Sequence, residues 1–274
     1  MRPVAHDPDS AHAEAEDAER ESARTDRERR GAGARLGAAV REVVVVLAMA
    51  LALSFVVKTF FVQAFFIPSQ SMEDTLLVGD RIVVSKLTPG PFEIKRGDIV
   101  VFEDPGDWLS PTPEANRGAV LNGLRDALMF VGLLPDTSEG HLIKRVIGMP
   151  GDHVQCCDAE GRLLVNGEPI EEATYLKQGA EPSQQEFDIT VPSGRLWVMG
   201  DNRGDSSDSR FHDPSGDGRT GSVPEDLVVG KAVVTVWPFD RMGGLSGHHD
   251  VFSQVPEAGS NRSLGPPPGE PHTS

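Results

Sequence analysis

The stretch from Val43 to Met72 organises the chain; it reads VVVVLAMALALSFVVKTFFVQAFFIPSQSM. Its first half, Val43–Val57, contains no charged residue, and the apolar character continues past one lysine as far as Ile67. A helix rises about 1.5 Å per residue and a bilayer core takes about 20 residues, so the run is long enough to cross a membrane. Ser69 and Ser71 follow within a few residues, and we therefore expect their chemistry to occur at a membrane surface.

Two other interpretations of the apolar run are a cleavable secretory signal and a buried helix of a soluble protein. Arginines precede the run, as in a signal, but the residues after it are bulky and offer no small-x-small cleavage site. A soluble helix has one apolar face, whereas this run is apolar all round. We therefore predict a retained transmembrane anchor at residues 43–62. The phenylalanines that we expect at the membrane surface are Phe60, Phe61, Phe65 and Phe66.

Residues 1–42 precede the anchor and are rich in alanine, acidic residues and arginine. They have too little apolar surface to offset the entropy of ordering, so we predict a disordered tail. The charge of this tail turns basic next to the anchor, and basic residues favour the cytoplasmic side. The sequence therefore predicts a single-pass protein of the cell membrane, with a cytoplasmic N-terminus and an extracytoplasmic body.

Composition limits the partners and the class of the body. The 274 residues carry a formal net charge of −16, which argues against nucleic acid because a phosphate-binding surface needs a basic patch. The 29 glycines and 21 prolines favour a β-rich body with many turns. The two cysteines, Cys156 and Cys157, are adjacent, which is not the spacing of a zinc site. Reduced thiols are slightly favoured over a disulfide there, and we expect no metal and no cofactor.

Short β-branched segments bounded by Gly-Asp, Pro-Gly and Asn-Gly turns predict a mainly β domain at residues 63–241. An insertion at 104–140 interrupts it, with a partly amphipathic helix expected at 120–134. The Gly-, Pro- and Ser-rich tail at 242–274 is predicted to be disordered. The expected strands are Arg81–Lys86, Ile99–Phe102, His141–Gly148, Arg162–Val165, Phe187–Val191, Arg195–Met199 and Leu227–Trp237.

A lysine within an apolar strand is the leading candidate for a general base. Alternation along the strand places Lys144 on one face with Leu142 and Val146. Burial there disfavours the charged amine and lowers its pKa, and a neutral amine can accept a proton from a serine hydroxyl. The plainer alternative is a lysine on a solvated strand face.

A Ser-His-Asp site is the second catalytic hypothesis. Among the eight histidines, only His212 adjoins a strongly polar, glycine-rich loop. It would combine with Ser71 and with either Asp201 or Asp208, since the members of a triad come together in space rather than in sequence.

Five segments behind the anchor occur in a characteristic order: Ile67–Met72, Thr75–Asp80, Gly97–Phe102, Ile143–Asp152 and Gly200–Arg210. Together with the anchor they resemble the ordered motifs of the bacterial type I signal peptidases. The resemblance covers roughly residues 43–240. No single segment is decisive, but their order behind an anchor is specific.

The resemblance implies an anchor followed by an extracytoplasmic body of two antiparallel-sheet lobes. It also implies a membrane-bound serine endopeptidase that removes N-terminal signal peptides from exported preproteins by a Ser/Lys dyad. Ser71 is then the nucleophile, Lys144 the general base, and Ser69 an oxyanion-hole donor beside the Ser71 backbone N–H. The other implied positions are Ser206, which orients the lysine, the structural ion pair of Asp208 and Arg210, and the pocket residues Phe65, Ile67, Leu76, Leu142 and Ile143.

The implied substrates are secretory preproteins with small side chains, alanine above all, one and three residues before the cleaved bond. Two departures from the family pattern are Asp74, where proline is frequent, and Leu142, where some members have tyrosine. The self-cleaving repressors share a Ser/Lys dyad on a similar β fold, but they lack an anchor and carry a DNA-binding domain. The non-enzymatic alternative is a membrane-tethered β-domain that only binds partners.

Overall fold

The computed structural model describes residues 39–106, 108–109 and 140–259. Three sequence predictions therefore lie wholly or mainly outside the described residues: the N-terminal tail, the helix at 120–134 and the end of the C-terminal tail from residue 260.

Helix α1 spans Ala39–Phe60. Within the described ranges it is the one helix that is long and apolar enough to cross a membrane. It begins and ends earlier than the predicted anchor at 43–62. The earlier end has a local cause, because Val62 already belongs to a strand and its backbone pairs with a neighbouring strand.

The remaining regular structure in the described residues is almost entirely β, which confirms the predicted fold class. The strands are β1 (Val62–Phe66), β2 (Arg81–Ser85), β3 (Ile99–Glu103), β4 (His141–Gly148), β5 (His153–Cys156), β6 (Leu163–Val165), β7 (Glu168–Pro169), β8 (Phe187–Thr190), β9 (Arg195–Met199), β10 (Val223–Pro224), β11 (Val228–Trp237) and β12 (Gly243–Gly244). Short 3₁₀ helices lie at Glu172–Thr174, Arg203–Asp205, Glu225–Leu227 and Phe239–Arg241.

The strands form two antiparallel sheets, as the two-lobed prediction requires. The larger sheet has the order β1-β2-β11-β3-β4-β9-β10, with β12 paired to β11. The smaller sheet has the order β7-β6-β5-β8. Strand β4 lies inside the larger sheet, between β3 and β9, and the chain passes directly from β4 into β5 of the smaller sheet.

Strand β3 is apolar at successive positions because the larger sheet is covered on both faces here. Ile99 and Val101 belong to one buried cluster, whereas Val100 and Phe102 belong to another. The same double burial applies to β4, in which every residue after the first is buried. Val100 lies opposite Lys144 in the register of these two strands, so a cation sits at the centre of an apolar sheet.

Strand β1 was missed by the sequence analysis. The apolar run continues from α1 without a break, so the period-2 pattern of the strand is hidden. Phe65 pairs with Ile82 on β2 and is only 2% exposed. The expectation that Phe65 lies at the membrane surface is therefore wrong, whereas Phe66 next to it is exposed.

Residues 242–259 are ordered, so the predicted disordered tail does not begin at residue 242. Strand β12 pairs with β11, and Phe252 and Val255 are buried in the cluster that also covers the smaller sheet. Gly97, at φ +90°, admits the carbonyl of Gly247 into the space that a Cβ would occupy. Two apolar side chains fix a segment whose Gly, Pro and Ser content is otherwise typical of disorder.

The two cysteines also differ from the expectation. Cys156 and Cys157 are joined in a disulfide, although reduced thiols were slightly favoured from the sequence. Cys156 ends β5 and is buried in the apolar cluster of the smaller sheet, with Cys157 packed against it.

Candidate active site

Ser71 and Lys144 come together although 73 residues separate them. Lys144 Nζ donates a hydrogen bond of 2.7 Å to Ser71 Oγ and another of 3.0 Å to the Ile143 carbonyl. Ser71 is 7% exposed and Lys144 is 4% exposed. The lysine is therefore buried in β4, one of the two placements that the sequence left open, and not on a solvated face.

Burial lowers the pKa of Lys144 to about 8. The carboxylates of Asp208 and Asp201 oppose this shift, and the charge of Arg210 reinforces it. The hydrogen-bond partners of Lys144 Nζ are a hydroxyl and a carbonyl. Among the described residues no carboxylate oxygen lies within 4 Å of this nitrogen. A substantial fraction of this amine is neutral near pH 8, and a neutral amine beside a hydroxyl can act as a base.

Backbone hydrogen bonds hold the turn that carries Ser71. Leu76 N–H donates to the Met72 carbonyl over 2.7 Å. From the opposite loop, the Asn202 N–H donates to the Ser71 carbonyl over 3.0 Å, and Asn202 Nδ2 donates to the Gln70 carbonyl over 3.1 Å. The sequence analysis missed Asn202 as a contact of the site. The only signal was the density of backbone-binding groups in its loop.

Gly200 lets that loop approach the serine turn closely. A Cβ at Gly200 would lie 2.4 Å from the Ser71 carbonyl oxygen and 2.3 Å from Ser206 Oγ. Ser206 is thus beside the site, as expected. Its hydroxyl is buried without a hydrogen-bond partner in the described part of the chain, so the expected hydrogen bond to Lys144 is not formed in this structure.

Asp208 and Arg210 form the predicted ion pair. Arg210 Nη2 and Asp208 Oδ2 are 2.8 Å apart and both side chains are fully buried. Asp208 also accepts the Gly200 N–H over 2.9 Å. Although burial raises it, the pKa of Asp208 lies below its usual value because of the hydrogen bonds and charge of Arg210. The pair fixes the loop that contacts Ser71.

A second buried ion pair lies next to the dyad and was not predicted. Arg145 binds Asp201 through two hydrogen bonds of 2.8 and 2.6 Å, and both side chains are fully buried. Thr75, four residues after Ser71, donates to the same carboxylate over 2.6 Å. Arg145 also stacks on the Tyr175 ring, 4.2 Å from its centroid. These contacts link β4, the serine turn and the loop after β9.

An apolar cavity of about 110 Å³ opens beside Lys144 and Ser69. Ser69 Oγ lies 3.4 Å from Ser71 Oγ. The cavity is lined by Phe65, Phe66, Ile67, Pro68, Ser69, Ile82, Val101, Leu109, His141, Leu142, Ile143 and Lys144. Four of the five predicted pocket residues are among them, and Leu76 is not. Leu76 is fully buried in the cluster of Phe65 and Ile67 and does not reach the cavity.

His212 does not join Ser71. Its Nδ1–H donates to the Asp208 carbonyl over 2.9 Å, and its ring stacks on Trp108 with the centroids 4.3 Å apart. A Ser-His-Asp site is therefore not assembled in this structure.

Comparisons with known proteins identify the family of this chain. Residues 40–237 match the family described as "Signal peptidase, peptidase S26". A probable signal peptidase I of Mycobacterium leprae is 40% identical over 76% of this chain and 79% of its own length. A signal peptidase I of Mycobacterium tuberculosis is 40% identical over 74% of each chain.

A solved signal peptidase I from Enterococcus faecalis is more distant. It matches 51% of this chain and 97% of its own, at 22% identity and a TM-score of 0.29, so the likeness bears no weight here. The family match runs from α1 to the end of β11, and the mycobacterial relatives each match about three quarters of the chain. This chain belongs to the signal peptidase family, peptidase S26, and is a serine peptidase.

Proposed function

We propose that this chain is a membrane-anchored endopeptidase that removes N-terminal signal peptides from exported preproteins, with Ser71 as the nucleophile and Lys144 as the general base. The observation that carries the proposal is the buried hydrogen bond of 2.7 Å between Lys144 Nζ and Ser71 Oγ. The mycobacterial relatives are named as signal peptidases I, which supports the same substrate class.

In the proposed mechanism the neutral amine of Lys144 takes the proton of Ser71 as Oγ attacks the carbonyl carbon of the scissile bond. The ammonium then gives this proton to the leaving amine, and an ester on Ser71 remains. A water molecule that Lys144 deprotonates attacks the ester, the bond to Ser71 Oγ breaks, and the ammonium returns the proton to Oγ as the second product leaves. The lowered pKa of Lys144 supports this cycle, because the amine must be neutral at the start of each half.

Negative charge develops on the carbonyl oxygen during both attacks. We assign its stabilisation to the Ser71 backbone N–H and the Ser69 hydroxyl, which lies 3.4 Å from Ser71 Oγ. Ser206 keeps its proposed role of orienting the lysine. Its place supports this role, because the Ser206 hydroxyl is buried next to Gly200, where the loop meets the Ser71 turn.

The apolar cavity beside the dyad is the proposed binding site for side chains that precede the cleaved bond. Its volume of about 110 Å³ and its walls of Phe65, Ile67, Leu142 and Ile143 suit small apolar groups such as the alanine methyl. The family resemblance implies the two positions, one and three residues before the bond, and this limited space supports a preference for small side chains there.

Helix α1 is the proposed single membrane span, with the N-terminus in the cytoplasm and the peptidase domain outside. Basic residues before the apolar run support this orientation. A signal peptide is itself an apolar segment that crosses the membrane, so its cleavage site emerges at the bilayer surface. Ser71 follows the end of α1 by about ten residues, which span at most about 35 Å when fully extended. The short connection between α1 and Ser71 supports a position of the nucleophile near the bilayer surface.

The test is cleavage of a purified preprotein by the detergent-solubilised full-length chain. Wild-type protein is expected to release the signal peptide, and Ser71→Ala is expected to fold and insert but to leave the preprotein intact. Appreciable turnover by Ser71→Ala overturns the assignment of the nucleophile.

A second comparison separates the two candidate bases. Lys144→Ala is expected to be inactive, whereas His212→Phe, which keeps a ring against Trp108 but cannot accept a proton, is expected to cleave. The reverse result favours a Ser-His site.

A further inference from the structure

The first residues of the insertion form a compact turn around one carboxylate. Asp104 accepts backbone N–H bonds from Gly106 over 3.0 Å, Trp108 over 3.1 Å and Leu109 over 3.1 Å. Its own N–H donates to the Gly140 carbonyl over 2.9 Å, so both ends of the insertion meet at the edge of β3 and β4. The backbone positions of Gly106, Trp108 and Leu109 relative to Asp104 are thereby fixed.

Trp108 ties this turn to the body of the protein. It is 7% exposed and belongs to the apolar cluster on one face of β3 and β4. Its ring meets Phe102 edge-on, with the centroids 5.9 Å apart, and stacks on His212 at 4.3 Å with an interplanar angle of 15°. His212 is in turn held by the Asp208 carbonyl. The histidine therefore supports Trp108 rather than Ser71.

Leu109 comes directly after this fixed tryptophan and lines the cavity beside the dyad. Phe65, Leu142 and Ile143 belong to the sheet and line the same cavity, together with the stem of Lys144. Leu109 is therefore the part of the described insertion that reaches the proposed substrate pocket. It is 37% exposed, which fits a side chain at the rim and not in the core.

We propose that Leu109 is a specificity-determining residue that limits the size of the substrate side chain accepted beside Ser71. Asp104 and Trp108 are positioning residues, because they act only through the placement of Leu109. The inference rests on the proposed function. In an apolar pocket one methylene group changes discrimination by about 10- to 200-fold, so removal of the leucine side chain has a measurable effect on selectivity.

The experiment uses the full-length chain in detergent and three forms of one preprotein, with alanine, valine or leucine just before the cleaved bond. The measured quantity is kcat/KM for each form. Leu109→Ala is expected to raise the valine-to-alanine ratio by about tenfold or more, and Leu109→Phe is expected to lower it. Phe92→Ala is the matched control, because Phe92 is an exposed apolar residue that does not line the cavity.

Trp108→Ala tests the positioning role separately. It is expected to raise the same ratio, and the double variant Trp108→Ala/Leu109→Ala is expected to raise it no further than Leu109→Ala alone, because both changes act on one wall. Equal loss of activity on all three preproteins, with an unchanged ratio, overturns the positioning role of Trp108.

Two failures are distinguishable. Wild-type protein that cleaves none of the three preproteins overturns the proposed function, and this inference with it. Wild-type protein that cleaves the alanine form, with Leu109→Ala and Leu109→Phe both leaving the ratio unchanged, overturns the role of Leu109 alone.

Discussion

Lys144 and Arg145 are adjacent on β4, yet the regions on the two sides of this strand surround them differently. On the Ser71 side, Lys144 meets a hydroxyl and a carbonyl and no carboxylate within 4 Å among the described residues. On the Asp201 side, Arg145 meets a carboxylate at 2.8 and 2.6 Å and the Gly97 carbonyl at 2.8 Å. Both cations are buried.

The difference separates a reactive cation from a structural one. Burial without an adjacent anion favours the neutral amine, and the pKa of Lys144 falls accordingly to about 8. Arginine cannot lose its proton in a protein, so burial of Arg145 requires the Asp201 partner. Burial in the same strand therefore leaves Lys144 as the proposed base on one side and Arg145 in a structural ion pair with Asp201 on the other.

The largest expected effect is that of Lys144→Arg on cleavage. A guanidinium stays protonated and cannot accept the serine proton, so kcat/KM should fall on the order of 10³-fold or more. The matched control is Lys231→Arg on β11, which β3 separates from β4; there the lysine pairs with Asp98 over 2.6 Å and an arginine keeps the pair. Retained activity in Lys144→Arg would mean that a permanently charged side chain can replace Lys144. The contrast between Lys144 as a base and Arg145 as a structural cation would then fail.

The pH profile of the wild type tests the same comparison between Lys144 and Arg145. Because Lys144 acts in its neutral form, kcat/KM should rise with pH through the pKa of about 8 and stay high in alkaline solution. A rising limb near pH 6.5 points instead to histidine.

Arg145→Ala should affect folding rather than chemistry alone. It leaves Asp201 buried without its partner, which costs about 3–5 kcal/mol of unfolding free energy. Arg162→Ala is the control, because Arg162 pairs with Asp158 and Glu171 at the surface, where solvent screens ion pairs and their contribution to stability is small. Urea unfolding measures both. Equal costs at the two positions contradict a structural role for the buried pair.

Ser69→Ala should be milder than loss of either dyad member. Removal of one oxyanion donor costs about 3 kcal/mol of transition-state stabilisation, or about 10²-fold in kcat. The control is Ser253→Ala, whose hydroxyl donates to the Asp250 carbonyl in the C-terminal segment. If Ser69→Ala is as inactive as Ser71→Ala, the identity of the attacking serine is in doubt.

Parts of this comparison could be predicted from the sequence. Leu142 and Val146, on the same face of the strand as Lys144, indicated that it could be buried, but the sequence left a solvated strand face open. Its pairing with Ser71 came only from the family resemblance, since no local pattern joins residues 73 positions apart. The Arg145–Asp201 pair could not be predicted, because the register of two distant segments decides it.

Other parts of the fold were hidden by composition. Strand β1 continues the apolar run of α1, so neither its existence nor the burial of Phe65 has a periodic signal of its own. The segment at 242–259 has the composition of a linker, and only Phe252 and Val255 indicate that it packs. Leu109 lies in an insertion, where the family motifs give no guidance.

The smallest expected effect is the pH dependence of stability that Lys144 introduces. Its pKa is about 8 in the folded protein and 10.5 in the unfolded chain. Between these values the unfolded chain binds more protons than the folded protein, so the stability of the wild type rises with pH. The difference between these two pKa values corresponds to about 3 kcal/mol. Lys144→Met lacks this group, so its stability relative to wild type should be highest at pH 7 and should decline towards pH 10.

Urea unfolding of Lys144→Met, Ser71→Ala and wild type at both pH values measures the change. Ser71→Ala should follow the wild type, because burial and not the serine hydroxyl is the main cause of the shift. A stability difference that does not vary with pH means that Lys144 is charged in the folded protein, and the contrast with Arg145 then fails.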